Sequence, residues 1–137
     1  MKMKINLGGK NFFVDVVECK STFSKFRGLM FKKKKNARAL LFKFAKPTKM
    51  AIHSFFVFFP FVAVWLDDKN KIIEKAFIRP FRLHVKPKKS YFALVEIPIN
   101  KRYHKNLIRF LSCQKLRRHK IYGHQQKIQN IVDKRKL

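Results

Sequence analysis

Glu96 stands inside an apolar run, Tyr91-Phe92-Ala93-Leu94-Val95-Glu96-Ile97. A carboxylate in such a strand either meets a cation such as Arg27 or serves a site, because burial penalises its charged form. His53 heads a second apolar run, where a hydrogen-bonded structural histidine competes with a base or ligand. Arg27, His53 and Glu96 together make a candidate pocket. The other carboxylates have plainer roles: Asp67 and Asp68 suit a turn, and Asp15, Glu18 and Glu74 fall as surface residues along strands. His119 and His124 lack a cysteine or carboxylate at metal-ligand spacing. Cys19 and Cys113 form neither a disulfide framework nor a metal pair, so free thiols in a reducing compartment are expected, with no disulfide-linked partner. Phosphate-cradling glycine loops and nucleophile elbows are missing too. The sequence therefore predicts no metal, no cofactor and no catalytic centre.

Charge is the second chemical signal. The chain of 137 residues carries 34 Lys and Arg against 7 Asp and Glu, a formal net charge of +27. Self-repulsion on that scale is relieved by a polyanion, of which nucleic acid is the commonest. Candidate contacts are Lys32, Lys33, Lys34 and Lys35 in one loop, and Arg79, Arg82, Lys86, Lys88 and Lys89 in another. Lys101, Arg102, Lys105 and Arg109 follow. Lys115, Arg117, Arg118, Lys120, Lys134, Arg135 and Lys136 complete the set. Lysine meets phosphate as a point charge, so backbone neutralisation is expected rather than base reading. Among possible stacking residues stand Tyr103, Tyr122 and Phe81, the last more suited to core or rim packing.

These groups must be positioned by a small core. Lys4–Leu7 and Phe12–Val17 flank Gly8-Gly9 and predict a hairpin. Ser21-Thr22 predicts the cap of a short helix over 22–27, with Gly28 as its stop. Ala39–Phe44 is expected to be a strand. Phe55–Leu66 is apolar on both alternating faces, which predicts a buried strand with a bulge or boundary at Pro60. It is too short for a membrane helix, and Pro60 would break one. A hairpin through Asp67-Asp68-Lys69-Asn70 leads into 71–78, Pro80 and Pro87 bracket a loop, and 91–97 forms a last strand. The expected fold is mainly β, a small sandwich or barrel of five to seven strands with one short helix near residues 22–27 and a C-terminal helix. Residues 1–100 would form the globular domain, and 101–137 a basic helix, capped by Asn100, and tail. The N-terminus has no apolar signal region, which predicts a cytoplasmic protein.

Three blocks resemble a known family. Phe26-Arg27-Gly28-Leu29-Met30-Phe31 is similar to the hallmark of the domain of unknown function family 192. His53-Ser54-Phe55-Phe56-Val57-Phe58-Phe59-Pro60 through Trp65-Leu66-Asp67 resembles its second block, in the archaeal style. Tyr91–Pro98 resembles its closing strand. The resemblance covers about residues 10–98 and implies a compact β-rich domain without an established activity. Val62 stands where the family pattern has an acidic residue, and Ile99-Asn100 where a glycine is common. A family site built on that acid would be lost here.

The leading expectation is an RNA-binding protein, ribosome-associated, with basic loops and tail along rRNA phosphates and neighbouring ribosomal proteins as further partners. An alternative is a small-ligand-binding or enzymatic domain whose basicity is incidental, favoured if Arg27, His53 and Glu96 share a pocket. A membrane-surface module is weaker, because the tail has no pronounced apolar stripe.

Overall fold

The computed structural model describes residues 1–112. The tail cations Lys115, Arg117, Arg118, Lys120, Lys134, Arg135 and Lys136, with Cys113, His119, Tyr122 and His124, lie outside the described residues. The described residues form six strands: β1 (Lys2–Leu7), β2 (Lys10–Glu18), β3 (Ala39–Thr48), β4 (Phe61–Leu66), β5 (Ile72–Ile78) and β6 (Tyr91–Pro98). They form one sheet in the order β1-β2-β3-β6-β4-β5. Its two edges approach at Asn6, whose N–H donates to Asn70 O at 3.0 Å beside a bridge to Lys71, so the sheet curls into a half-barrel.

Local chemistry accounts for the turns. Gly8 and Gly9 both have positive φ, 57° and 83°, the geometry a two-residue hairpin needs. Asp67 Oδ1 accepts from Lys69 N and Lys71 N, closing the β4–β5 turn. Helix α1 (Thr22–Arg27) starts where Ser21 Oγ accepts from Ser24 N, and it stops at Gly28, φ 50°.

The period-two alternation of the central strands sends side chains to two cores. Leu41, Val64, Leu66, Val95 and Ile97 lie within the curl with Ile5, Val14 and Val16. Tyr103 and Leu107, from a 3-10 turn at Lys101–Tyr103 and helix α2 (His104–Ser112), close that core. Tyr103 Oη donates to Asp15 O and accepts from Ala39 N, each at 2.8 Å. On the opposite face Leu40, Phe42, Phe61, Ala63, Trp65 and Leu94 form a second core, covered by irregular chain that supplies Leu29, Ala37, Val57 and Phe59.

Two expectations need correction. The run 55–66 is not a continuous strand: β4 begins after Pro60, and residues 53–60 form a loop in which Val57 and Phe59 are buried but Phe55, Phe56 and Phe58 are exposed. Proline withholds the ladder N–H, and the tight turn at Phe55-Phe56 breaks the alternation. Asn100 makes no side-chain cap; its Nδ2 donates to Lys34 O and Ala37 O, at 2.9 Å each, and ties the lysine loop to the end of β6.

Candidate functional site

Strand β6 is the centre of the sheet, and this placement governs Glu96. Leu40 lies beside it in β3 and Ala63 beside it in β4, so the carboxyl is carried inward onto the second core's face. The residue is 6% exposed. Burial pushes its pKa up to about 8, opposed weakly by the charge of Lys32. The carboxyl is thus chiefly protonated at neutral pH, able to donate and to accept. Among the described residues it forms no salt bridge, so the expected pairing with Arg27 is not what satisfies it.

Gly28 explains how the carboxyl keeps its room. A Cβ at that position would stand 3.3 Å from Glu96 Oε2, and the residue's φ of 50° already disfavours a side chain. Helix α1 ends against the carboxyl because glycine both stops the helix and permits the approach.

Glu96 opens onto a cavity of about 310 Å³ bounded by α1, β3, β6 and the segment from Met50 to Val57. Its wall is largely apolar, with Leu29, Phe42, Phe44, Ile52, Val57, Tyr91 and Leu94. Arg27 and His53 line the same cavity, so residues from three distant segments are brought together. Arg27 is exposed and His53 half-buried, which sets them nearer the solvent than Glu96. Lys25 also lines the cavity; its Nζ donates to Lys43 O at 2.9 Å and lies 5.0 Å from the Phe44 ring centroid. Tyr91 closes one side, its Oη donating to Met50 O at 2.9 Å. Burial, with the nearby Glu96 carboxyl, raises its pKa to about 12. Cys19, a buried free thiol, is also pushed up by burial.

The cationic candidates are distributed differently. Lys33, Lys35, Arg79, Arg82, Lys86, Lys88, Lys89, Lys101, Arg102, Lys105 and Arg109 are exposed, while Lys32 and Lys34 are half-buried. The 79–89 loop is tied to the 53–60 segment through Ser54, fully buried, whose hydroxyl donates to Arg79 O and accepts from Arg82 N. Several acids are engaged within the fold: Asp15 with Arg38 at 2.9 Å and the N-terminus at 3.2 Å, Glu18 with Lys43 at 3.6 Å, and Glu74 accepting from Lys88 N. Arg38 and the N-terminal ammonium hold the Asp15 carboxyl below its usual range.

Among the stacking candidates, Tyr103 is buried and hydrogen-bonded, which removes it from any base-contacting role. Phe81 is half exposed, its ring meeting Phe58 edge-on at the surface. Sequence reasoning passed over Phe31, Phe55, Phe56 and Phe58, all exposed. Phe31 could have been found from the Lys32–Lys35 run beside it; the others were hidden in an apolar pattern. No described helix is long and apolar enough to cross a membrane, and the described residues hold no cluster of three metal-ligating side chains.

Residues 3–105 match the model of the DUF192 family, an uncharacterized ACR. No curated protein matches the chain. Among solved structures, it is similar to a protein of unknown function from Novosphingobium aromaticivorans DSM 12444, at TM-score 0.61 and 12% identity over 71% of each chain. It is also similar to a provisionally named transcription regulator from Sinorhizobium meliloti 1021, at TM-score 0.61 and 13% identity over 69% of this chain and 76% of that one. At such identities the likeness is one of fold.

Proposed function

The chain belongs to the DUF192 family, and on that premise we propose that it is a small-ligand-binding β-domain whose site is the cavity above Glu96. The observation that carries this reading is convergence: Arg27, His53 and Glu96 line one cavity of about 310 Å³. That volume falls in the range of small-molecule sites, which combine apolar walls with a few placed polar groups. A protonated carboxyl inside, with Lys25 and Arg27 nearer solvent, suits a compact amphipathic molecule: an apolar or aromatic body within and an anionic group outward. The sequence ranked this reading second; the shared cavity moves it forward.

Titration of the full chain with 8-anilinonaphthalene-1-sulfonate, an amphipathic anion, tests the site. Saturable fluorescence enhancement is expected, abolished by Ala51→Trp, which fills the cavity, and retained in Phe58→Ala. Enhancement that survives Ala51→Trp would place the dye on the outer aromatic surface and reject the site.

Charge favours a second reading, RNA binding through phosphate contacts, with rRNA on the ribosome as the partner. The support is the exposed cations of the 79–89 loop, with Asp15, Glu18 and Glu74 already engaged in intramolecular pairs at the surface. If six to ten phosphates are engaged, affinity falls roughly 10³–10⁵-fold between 50 and 200 mM salt. Binding indifferent to salt over that range rejects it.

A further inference from the structure

Three non-glycine residues of the second face have left-handed backbone, and each is a phenylalanine: Phe31 (φ 58°), Phe56 (φ 56°) and Phe81 (φ 59°). Such a conformation costs an L-residue roughly 1–2 kcal/mol and is rare for a bulky side chain. Strain of this kind persists where the surroundings impose it, and it concentrates at functional surfaces. Here hydrogen bonds impose it: Phe31 N–H donates to Phe56 O, and Phe81 N–H to Ser54 O. The outcome is unusual, because the three rings are turned outward rather than into the core, with Phe31 58% exposed and Phe81 50%.

The rings do not stand singly. Phe31 stacks on Phe56 at 5.0 Å with 22° between planes, and Phe55 meets Phe56 edge-on at 4.4 Å. Phe58, 62% exposed, meets Phe81 edge-on at 5.4 Å. Two exposed aromatic clusters borne on one segment, 55–58, mark an interaction site. Its neighbours in sequence are cationic: Lys32–Lys35 follow Phe31, and Arg79 and Arg82, both exposed, stand on either side of Phe81. A second copy of this chain is a poor occupant, since it would bring two bodies of +27 together. A polyanion with flat apolar faces fits both features.

We propose that the exposed phenylalanine face around Phe31, Phe56, Phe58 and Phe81, flanked by Arg79 and Arg82, stacks the bases of single-stranded nucleic acid. Unpaired bases offer free π-faces to the rings while their phosphates reach the cations; a duplex keeps its bases stacked inside and offers charge alone. The inference rests on the nucleic-acid reading of the charge, and it narrows that reading to unpaired strands.

Fluorescence anisotropy of the full chain with labelled oligo(U) of twelve nucleotides, and with a twelve-base-pair RNA duplex, tests it at 50 mM salt. Phe58→Ala and Phe81→Ala are each expected to weaken single-strand binding by about 5- to 100-fold, with Phe58→Tyr close to wild type. Duplex binding should be unmoved by these changes and weakened by Arg79→Ala. Circular dichroism confirms that the variants fold. If the alanine variants hold oligo(U) as wild type does, stacking is overturned while the charge reading stands. Absence of binding to either nucleic acid overturns both. Dimerisation of the free chain that Phe58→Ala abolishes makes the face a self-interface and overturns the proposal as well.

Discussion

Replacing Glu96 by glutamine tests whether the buried carboxyl is protonated, and the size of the effect follows from the structure. Burial raises its pKa from 4.5 to about 8. Between those values the folded chain binds a proton that the unfolded chain has released, so stability falls as pH rises. At 1.36 kcal/mol per unit, the loss sums to about 5 kcal/mol over the whole window, of which about 2 kcal/mol falls between pH 6 and pH 8. Glutamine has the shape of the protonated acid and does not titrate. The difference in unfolding free energy, Glu96→Gln minus wild type, should therefore grow by about 2 kcal/mol from pH 6 to pH 8. Urea denaturation at each pH reads this as a shift of about 1 M in midpoint. Cys19 and Tyr91, both displaced upward by burial, stay protonated throughout. A difference that is flat, or that shrinks with pH, would mean an ionised and compensated Glu96, and the account of the cavity would fail.

Other substitutions probe the frame around the site. Ser54→Ala removes the hydroxyl that joins Arg79 O and Arg82 N inside the fold; a loss of about 1–3 kcal/mol is expected, with faster proteolysis within 79–90. Tyr103→Phe orphans the buried Ala39 N–H and should cost about 1–3 kcal/mol in chemical denaturation, leaving dye binding in the cavity unchanged. Gly28→Ala, strained by backbone and crowding Glu96 Oε2 alike, should lower the melting temperature and weaken the dye.

Features set by neighbours in sequence were legible before the structure. The Gly8-Gly9 hairpin, the Ser21 cap, the Gly28 stop and the Asp67 turn each depend on chemistry within a few residues. Glu96 was conspicuous because a carboxylate in an apolar strand is costly unless something uses it. Its raised pKa was not legible, since that depends on the central position of β6, which pairs with β3 on one side and β4 on the other. The run 53–60 misled for a related reason. Alternation of apolar residues marks buried chain, and Phe55, Phe56 and Phe58, held outward around the left-handed Phe56, mimic that pattern. Asn100 is the usual residue for a helix start, yet the nearby Lys34 and Ala37 carbonyls took its amide. The shared cavity was reachable from the three resembling blocks, though their meeting depends on topology.

The contact at Asn6 has a consequence for how so greasy a molecule survives in a crowd. Open sheets expose borders on which stray chains can grow, and a surface strewn with aromatic rings would make such growth easy. By drawing β1 against the turn before β5, the half-barrel hides part of both borders in a single seam. Cutting it, as Asn6→Pro would by deleting the amide that reaches Asn70, should promote aggregation visible by light scattering.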